Sequence, residues 1–133
     1  MEFIDIRELR AKYITEKVTL LFCDIESAFS GNQAKEVNDF SEGISCTQIS
    51  CYRPENGSTI DSFHQVDELM RYQYTSGYVL IYPFQEIIED PYDETELKAM
   101  VQIAEGWADE TQAHIIFILD TSNTFQYYTK PLY

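Results

Sequence analysis

The chain has 133 residues, 44% of them apolar, and its nine basic and 23 acidic side chains give a formal net charge of −14. That length suits one domain able to bury enough surface to fold without staples, and the apolar share excludes a disordered chain. No apolar run approaches the roughly 18 residues of a membrane span, and the acidity repels bare nucleic acid and anionic membranes alike.

The opening stretch, "MEFIDIRELRAKY", is charged throughout and lacks the apolar core of a signal peptide, so a cytoplasmic location is expected. Ile6, Leu9 and Tyr13 behind Asp5 predict a short helix over 5–14. Residues 1–17 balance Arg7, Arg10, Lys12 and Lys17 against Glu2, Asp5, Glu8 and Glu16, so the whole −14 lies in 18–133.

"VTLLFC" (18–23) then reads as a strand covered on both faces, because it is apolar or β-branched almost without interruption. Ala34, Val37 and Phe40 suggest a weak helix over 33–42. "GISCTQISCYR" (43–53) is β-prone but alternates poorly, and "PENGS" (54–58) is a turn, since Asn-Gly tolerates positive φ. Ile60, Phe63, Val66, Leu69 and Met70 predict a helix over 60–73. "YVLIYPF" (78–84) and "HIIFIL" (114–119) are two further buried strands. Between them Leu97, Met100, Val101, Ala104, Trp107 and Ala108 follow helical spacing over 94–110, with Asp93 and Glu96 in a capping-box pattern. The tail "TFQYYTKPLY" reads as an edge strand stopped by Pro131. Strands alternating with helices predict a single small α/β domain in two or three layers, with a largely parallel sheet, an added β edge and amphipathic helices.

Cys23, Cys46 and Cys51 are an odd set without the spacing of a disulfide framework. Zinc binding by them with His64 or His114 lacks paired spacing, so the thiols read as buried or idle. His64 lies beside the apolar stripe of its helix and His114 opens a strand, and both read as structural. There is no G-x-x-x-x-G-K-[ST] and no G-x-G-x-x-G, and with only five glycines no phosphate cradle is visible. No cofactor is expected.

Asp24 and Glu26 end the first apolar strand in "LLFCDIES", and "ILDTSNT" places Asp120 at the end of another. Residues two apart on a strand point to one side, and hard oxygen ligands on a rigid support suit a divalent metal. The Asp-x-Glu pair resembles the first motif of DEDD-type exonucleases, which implies a metal site of Asp24, Glu26 and Asp120. That family's later motifs are missing: Asn38 and Asp39 are adjacent, and His114 and Asp120 are six apart. The same stretch is similar to the first strand of class III nucleotide cyclases, whose second metal-binding Asp and substrate Lys have no counterpart here.

"QEIIEDPYDETE" carries Glu86, Glu89, Asp90, Asp93, Glu94 and Glu96 around Tyr92. The helix dipole accounts for the last three, which fall in a first helical turn. The others suit a surface that copies phosphate spacing or fills a basic cleft, with Tyr92 as a low-entropy anchor. Glu105, Asp109 and Glu110 extend the acidity along the same helix. From Gly77 to Asp120 the order of strand, acidic loop, amphipathic helix and apolar strand resembles the last third of the barstar family of ribonuclease inhibitors, which implies acidic blockade of a basic active site.

These features lead to an acidic protein without chemistry of its own. It would bind and block a basic, nucleic-acid-handling protein through Glu86, Glu89, Asp90, Tyr92, Asp93 and Glu94. A toxin-immunity protein or a phage anti-defence protein fits that role. The alternatives are a metal-dependent phosphodiesterase or nuclease using the strand-end carboxylates, and a structural subunit of a larger assembly.

Overall fold

The most continuously apolar stretch of the chain takes the centre of a five-stranded sheet. In the computed structural model, which describes residues 2–23, 35–50, 63–72, 77–82 and 84–121, the strands are β1 (Ile4–Asp5), β2 (Val18–Cys23), β3 (Cys46–Ser50), β4 (Gly77–Tyr82) and β5 (Ala113–Asp120). All neighbours are parallel, in the order β1-β2-β5-β4-β3. β5, paired on both sides, is buried from Ile115 to Asp120. It therefore needs apolar side chains on both faces, which is why its sequence does not alternate.

The helices are α1 (Lys35–Phe40), α2 (Phe63–Tyr72) and α3 (Glu94–Thr111). Strand order decides which face each covers. The steps β1 to β2 and β2 to β3 cross the sheet in one direction, whereas β3 to β4 and β4 to β5 return in the other. Right-handed crossovers then send the two sets of connections to opposite faces. On one face Ile6, Ala11 and Ile14, with Val37 and Phe40 of α1, pack with Leu21, Leu80, Ile116 and Ile118. On the other, Val66 and Met70 of α2 and Leu97, Ala104 and Trp107 of α3 pack with Val79, Ile81, Ile115 and Phe117. The result is three layers. Trp107 Nε1 donates to Asp67 Oδ1 at 2.7 Å, and Arg71 Nε donates to Asp67 Oδ2 at 3.0 Å, so one carboxylate joins α3 to α2.

The helix expected over 5–14 does not form. Asp5 ends β1, accepts a hydrogen bond from Arg7 N and starts a 3-10 turn, Ile6–Glu8; a second follows at Ala11–Tyr13. Leu9 is extended between them, with φ −130° and ψ 159°. That break shifts the phase of the apolar stripe: Ala11 and Ile14 are buried, and Tyr13 is exposed. The strand expected over 78–84 runs instead from Gly77 to Tyr82, and Phe84 opens a 3-10 turn. Gly77 enters β4 at φ 80°, a backbone region that disfavours any side chain. The tail strand and the "PENGS" turn lie outside the described residues.

Candidate functional site

In a parallel sheet all strands end at one edge, where loops gather and connections diverge to opposite faces. Here that edge holds the ends of β1, β2, β4 and β5. Cys23 is level with Asp120 across the β2–β5 pair, and Asp5 is level with Phe22 across β1–β2. The acidic loop leaves β4 at the same edge and enters α3.

Ile87, Ile88 and Pro91 turn inward and are buried, whereas Glu89, Asp90 and Tyr92 are exposed. The carboxylates themselves fix this arrangement. Asp90 Oδ1 accepts a hydrogen bond from Tyr92 N at 2.9 Å. Asp93 caps α3, its Oδ1 accepting from Thr95 N at 2.9 Å and Glu96 N at 3.3 Å. Glu96 does not return to the backbone of Asp93, as a reciprocal capping box would require. Its Oε1 accepts instead from Glu89 N at 2.8 Å and ties the loop to the first turn of the helix. Tyr92 remains 70% exposed, with its ring edge-on to Phe3 at 6.4 Å. Phe3 in turn lies 6.2 Å from the buried Phe84. The tyrosine is thus propped from below and open above.

The acids of the loop therefore serve two purposes. Asp93 and Glu96 satisfy backbone donors, and Asp90 commits one oxygen to a turn. Glu89 and Glu94 sit exposed beside Tyr92. Glu86 closes the 3-10 turn Phe84–Glu86; its side chain lies outside the description. From Phe84 to Leu97 the sequence has six acids and no Lys or Arg.

Glu105, Asp109 and Glu110 are exposed farther along the same helix, and of these Asp109 is engaged by a cation. Asp109 is about 22 Å along the helix from Glu94 at 1.5 Å per residue. There Lys17, which precedes β2, meets Asp109 Oδ1 at 2.7 Å. The Asp109 hydrogen bond raises the Lys17 pKa, with Glu105 adding a smaller attraction. The far end of α3 is thus partly neutralised at the opposite edge of the sheet.

Asp120 is buried at the end of β5. Its backbone is gripped by the Gln85 side chain, whose Oε1 accepts from Asp120 N at 3.0 Å and whose Nε2 donates to Asp120 O. Thr121 N donates to Cys23 O at 2.8 Å and continues the β2–β5 ladder by one bond. Asp24 and Glu26 lie outside the described residues. Among the described residues no group of three His, Cys, Asp or Glu side chains could hold a metal ion.

Asp5 forms a two-pronged ion pair with Arg7, Nε to Oδ1 at 3.0 Å and Nη2 to Oδ2 at 2.6 Å. Those bonds hold its carboxyl below the usual range. His64 pairs with Glu68 at 2.9 Å on the exposed side of α2. His114 stacks on Tyr78 with ring centroids 4.9 Å apart, and its Nδ1 lies 2.8 Å from Glu16 O. Cys23 is buried and Cys46 partly so, and burial raises the pKa of Cys46.

Gln85 and Phe3 are the residues of this edge that sequence reasoning missed. A half-buried glutamine 35 positions from its partner leaves no local signal, and Phe3 reads as part of a charged N-terminus. No known family model, curated protein or solved structure matches the chain. The likeness to the barstar family is therefore one of element order alone. No helix among the described residues is long and apolar enough to cross a membrane.

Proposed function

We propose that this chain is an acidic, non-enzymatic inhibitor or immunity-type protein. It binds and blocks a basic protein that handles nucleic acid, such as a toxin nuclease or a host-defence effector. One observation carries the reading: Tyr92 stands 70% exposed among acids, on a loop whose backbone is already fixed. A preorganised loop loses little entropy on binding, and tyrosine is among the residues enriched at binding hot spots. The charge of −14 would steer a basic partner into contact and make association fast and salt-sensitive. Glu89, Asp90, Tyr92 and Glu94 would meet the partner, with Asp93 and Glu96 holding their frame.

That division sets the test. Reversing Asp93 would remove the helix cap and confuse binding with folding. The triple variant Glu89→Gln, Asp90→Asn, Glu94→Gln removes charge, while the new amide at position 90 keeps an acceptor for Tyr92 N. Immobilised wild-type protein should retain a basic protein from an extract of the native host and release it in salt. The triple variant and Tyr92→Ala should each retain far less. Equal retention by all three proteins would refute the site, and absence of any salt-released protein would refute the function.

A metal-dependent phosphodiesterase is the second reading. The observation that favours it is the register that sets Asp120 level with Cys23, the residue before Asp24. It requires a heat of Mg²⁺ or Mn²⁺ binding that Asp24→Asn abolishes; silence in calorimetry at millimolar metal would eliminate it.

A further inference from the structure

The hydrogen bonds of the acidic loop fix its backbone: Tyr92 N donates to Asp90 Oδ1, and Glu89 N donates to Glu96 Oε1. They do not set the side-chain torsions of Tyr92, and a ring that is 70% exposed has several staggered positions open to it. The ring meets Phe3. The two stand edge to face, with centroids 6.4 Å apart and planes at 67°. That geometry places the positive edge of one ring against the negative face of the other. Phe3 is itself firmly seated. It is half-buried against the core on the α3 face and lies 6.2 Å from Phe84. Phe84 is fully buried, 4.5 Å from Phe117 of the central strand. A row of rings thus runs from the middle of the sheet, through Phe3, to the exposed tyrosine. Burial alone asks only for an apolar residue at position 3. Contact with Tyr92 asks for a ring.

We propose that Phe3 is a positioning residue for the acidic edge. It selects the side-chain orientation in which Tyr92 meets a basic partner, and it acts through Tyr92 rather than on the partner itself. This inference rests on the proposed function, in which Tyr92 is the anchor. Two separate devices then prepare the edge. Carboxylates hold the loop backbone, and an aromatic contact holds the anchor ring. The second device comes from a distant part of the sequence, because Phe3 leads directly into β1, whose two residues are level with Leu21 and Phe22 of β2. β1 buries little of its own, since Ile4 is 40% exposed, so Phe3 gives that strand its apolar hold on the α3 face as well as giving Tyr92 its support. Losing one aromatic pair lowers the population of the oriented ring roughly three- to tenfold. Apparent affinity falls with the population that is ready to bind.

The test compares Phe3→Leu, which keeps an apolar side chain, with Phe3→Tyr, which keeps the ring, both in the full chain. Carbon–proton NMR of the tyrosine rings reads the orientation, with the Tyr92 signals assigned by their loss in Tyr92→Ala. The ring current of Phe3 should displace those signals from the values of free tyrosine. Phe3→Leu should return them toward those values, and Phe3→Tyr should keep them displaced. Binding is measured with the basic protein that salt releases from immobilised wild type. Phe3→Leu should weaken it roughly three- to tenfold, and Phe3→Tyr should restore it. In a Tyr92→Ala background Phe3→Leu should add nothing, because a positioning residue acts only through the residue it positions. Circular dichroism melting checks that each variant is folded, which half-burial of position 3 favours. Tyr92 signals that ignore Phe3→Leu overturn the proposal. So does equal binding by Phe3→Leu and wild type, or a Phe3→Leu effect that survives the loss of Tyr92. A wild type that retains no basic protein overturns the proposed function instead, and the NMR comparison then decides by itself whether Phe3 sets Tyr92.

Discussion

Replacing Gln85 tests how the acidic edge is assembled. The Gln85 amide satisfies both backbone groups of Asp120, at the end of the central strand and buried from solvent. In Gln85→Met the side chain keeps its length and loses both partners. An orphaned buried backbone group costs about 1–3 kcal/mol. Gln85 is itself only half-buried, so water can recover part of that loss, and we expect about 2–3 kcal/mol in all. For a chain of 133 residues, an unfolding entropy of roughly 2.1 cal/mol/K per residue makes each kcal/mol worth about 3.6 °C. The expected drop in Tm is therefore about 7–11 °C by calorimetry or circular dichroism. Gln85→Glu adds a pH signature. An ionised carboxylate at position 85 can still accept from Asp120 N but has no donor for Asp120 O, whereas the protonated acid supplies both. The folded-state pKa of the introduced carboxyl is therefore raised. The bond it makes is fully present below the unfolded value of about 4.3 and is lost as pH rises through the folded value. The deficit of Gln85→Glu against wild type should thus be smallest near pH ~4 and grow toward neutrality. A Met variant melting within about 2 °C of wild type, or a Glu variant whose deficit ignores pH, would refute the clamp.

Asp93→Ala removes the cap of α3 and should cost about 1 kcal/mol in chemical denaturation, while Asp90→Asn, which keeps its acceptor, should cost much less. Asp5→Asn should destabilise by less than about 1 kcal/mol, because the Arg7 pair is partly exposed. Arg7 lowers the Asp5 pKa in the fold from its ordinary 3.8, so this contribution is present above that pH and lost as pH falls through the depressed value; the Asn and wild-type melting curves should converge in acid. In Cys51→Ser the remaining thiols, Cys23 buried and Cys46 raised in pKa by burial, should react with a thiol reagent at pH ~8 far more slowly in the native than in the unfolded protein. A fast native reaction would contradict that burial.

Local pattern determines much of this protein. β2, β4, β5 and α3 are legible because each buries a continuous run or a helical stripe, and burial acts on the side chains of that segment alone. The start of α3 is legible too, since a cap is a contact between near neighbours. The sequence also confines the acidity to residues 18–133 and sets Tyr92 within it. Only the tertiary structure decided the order β1-β2-β5-β4-β3, because every buried strand offers similar apolar faces and the crossover directions choose its neighbours. The fold also broke the N-terminal stripe into two 3-10 turns, since Asp5 finds its donors in Arg7 rather than in a helix. Above all, it divided one run of acids by task. Asp93 and Glu96 hold backbone donors, Asp109 faces Lys17 at the far edge, and Glu89 and Glu94 remain exposed beside Tyr92. Spacing cannot reveal that division, because a carboxylate's role depends on which donors the rest of the chain brings to it.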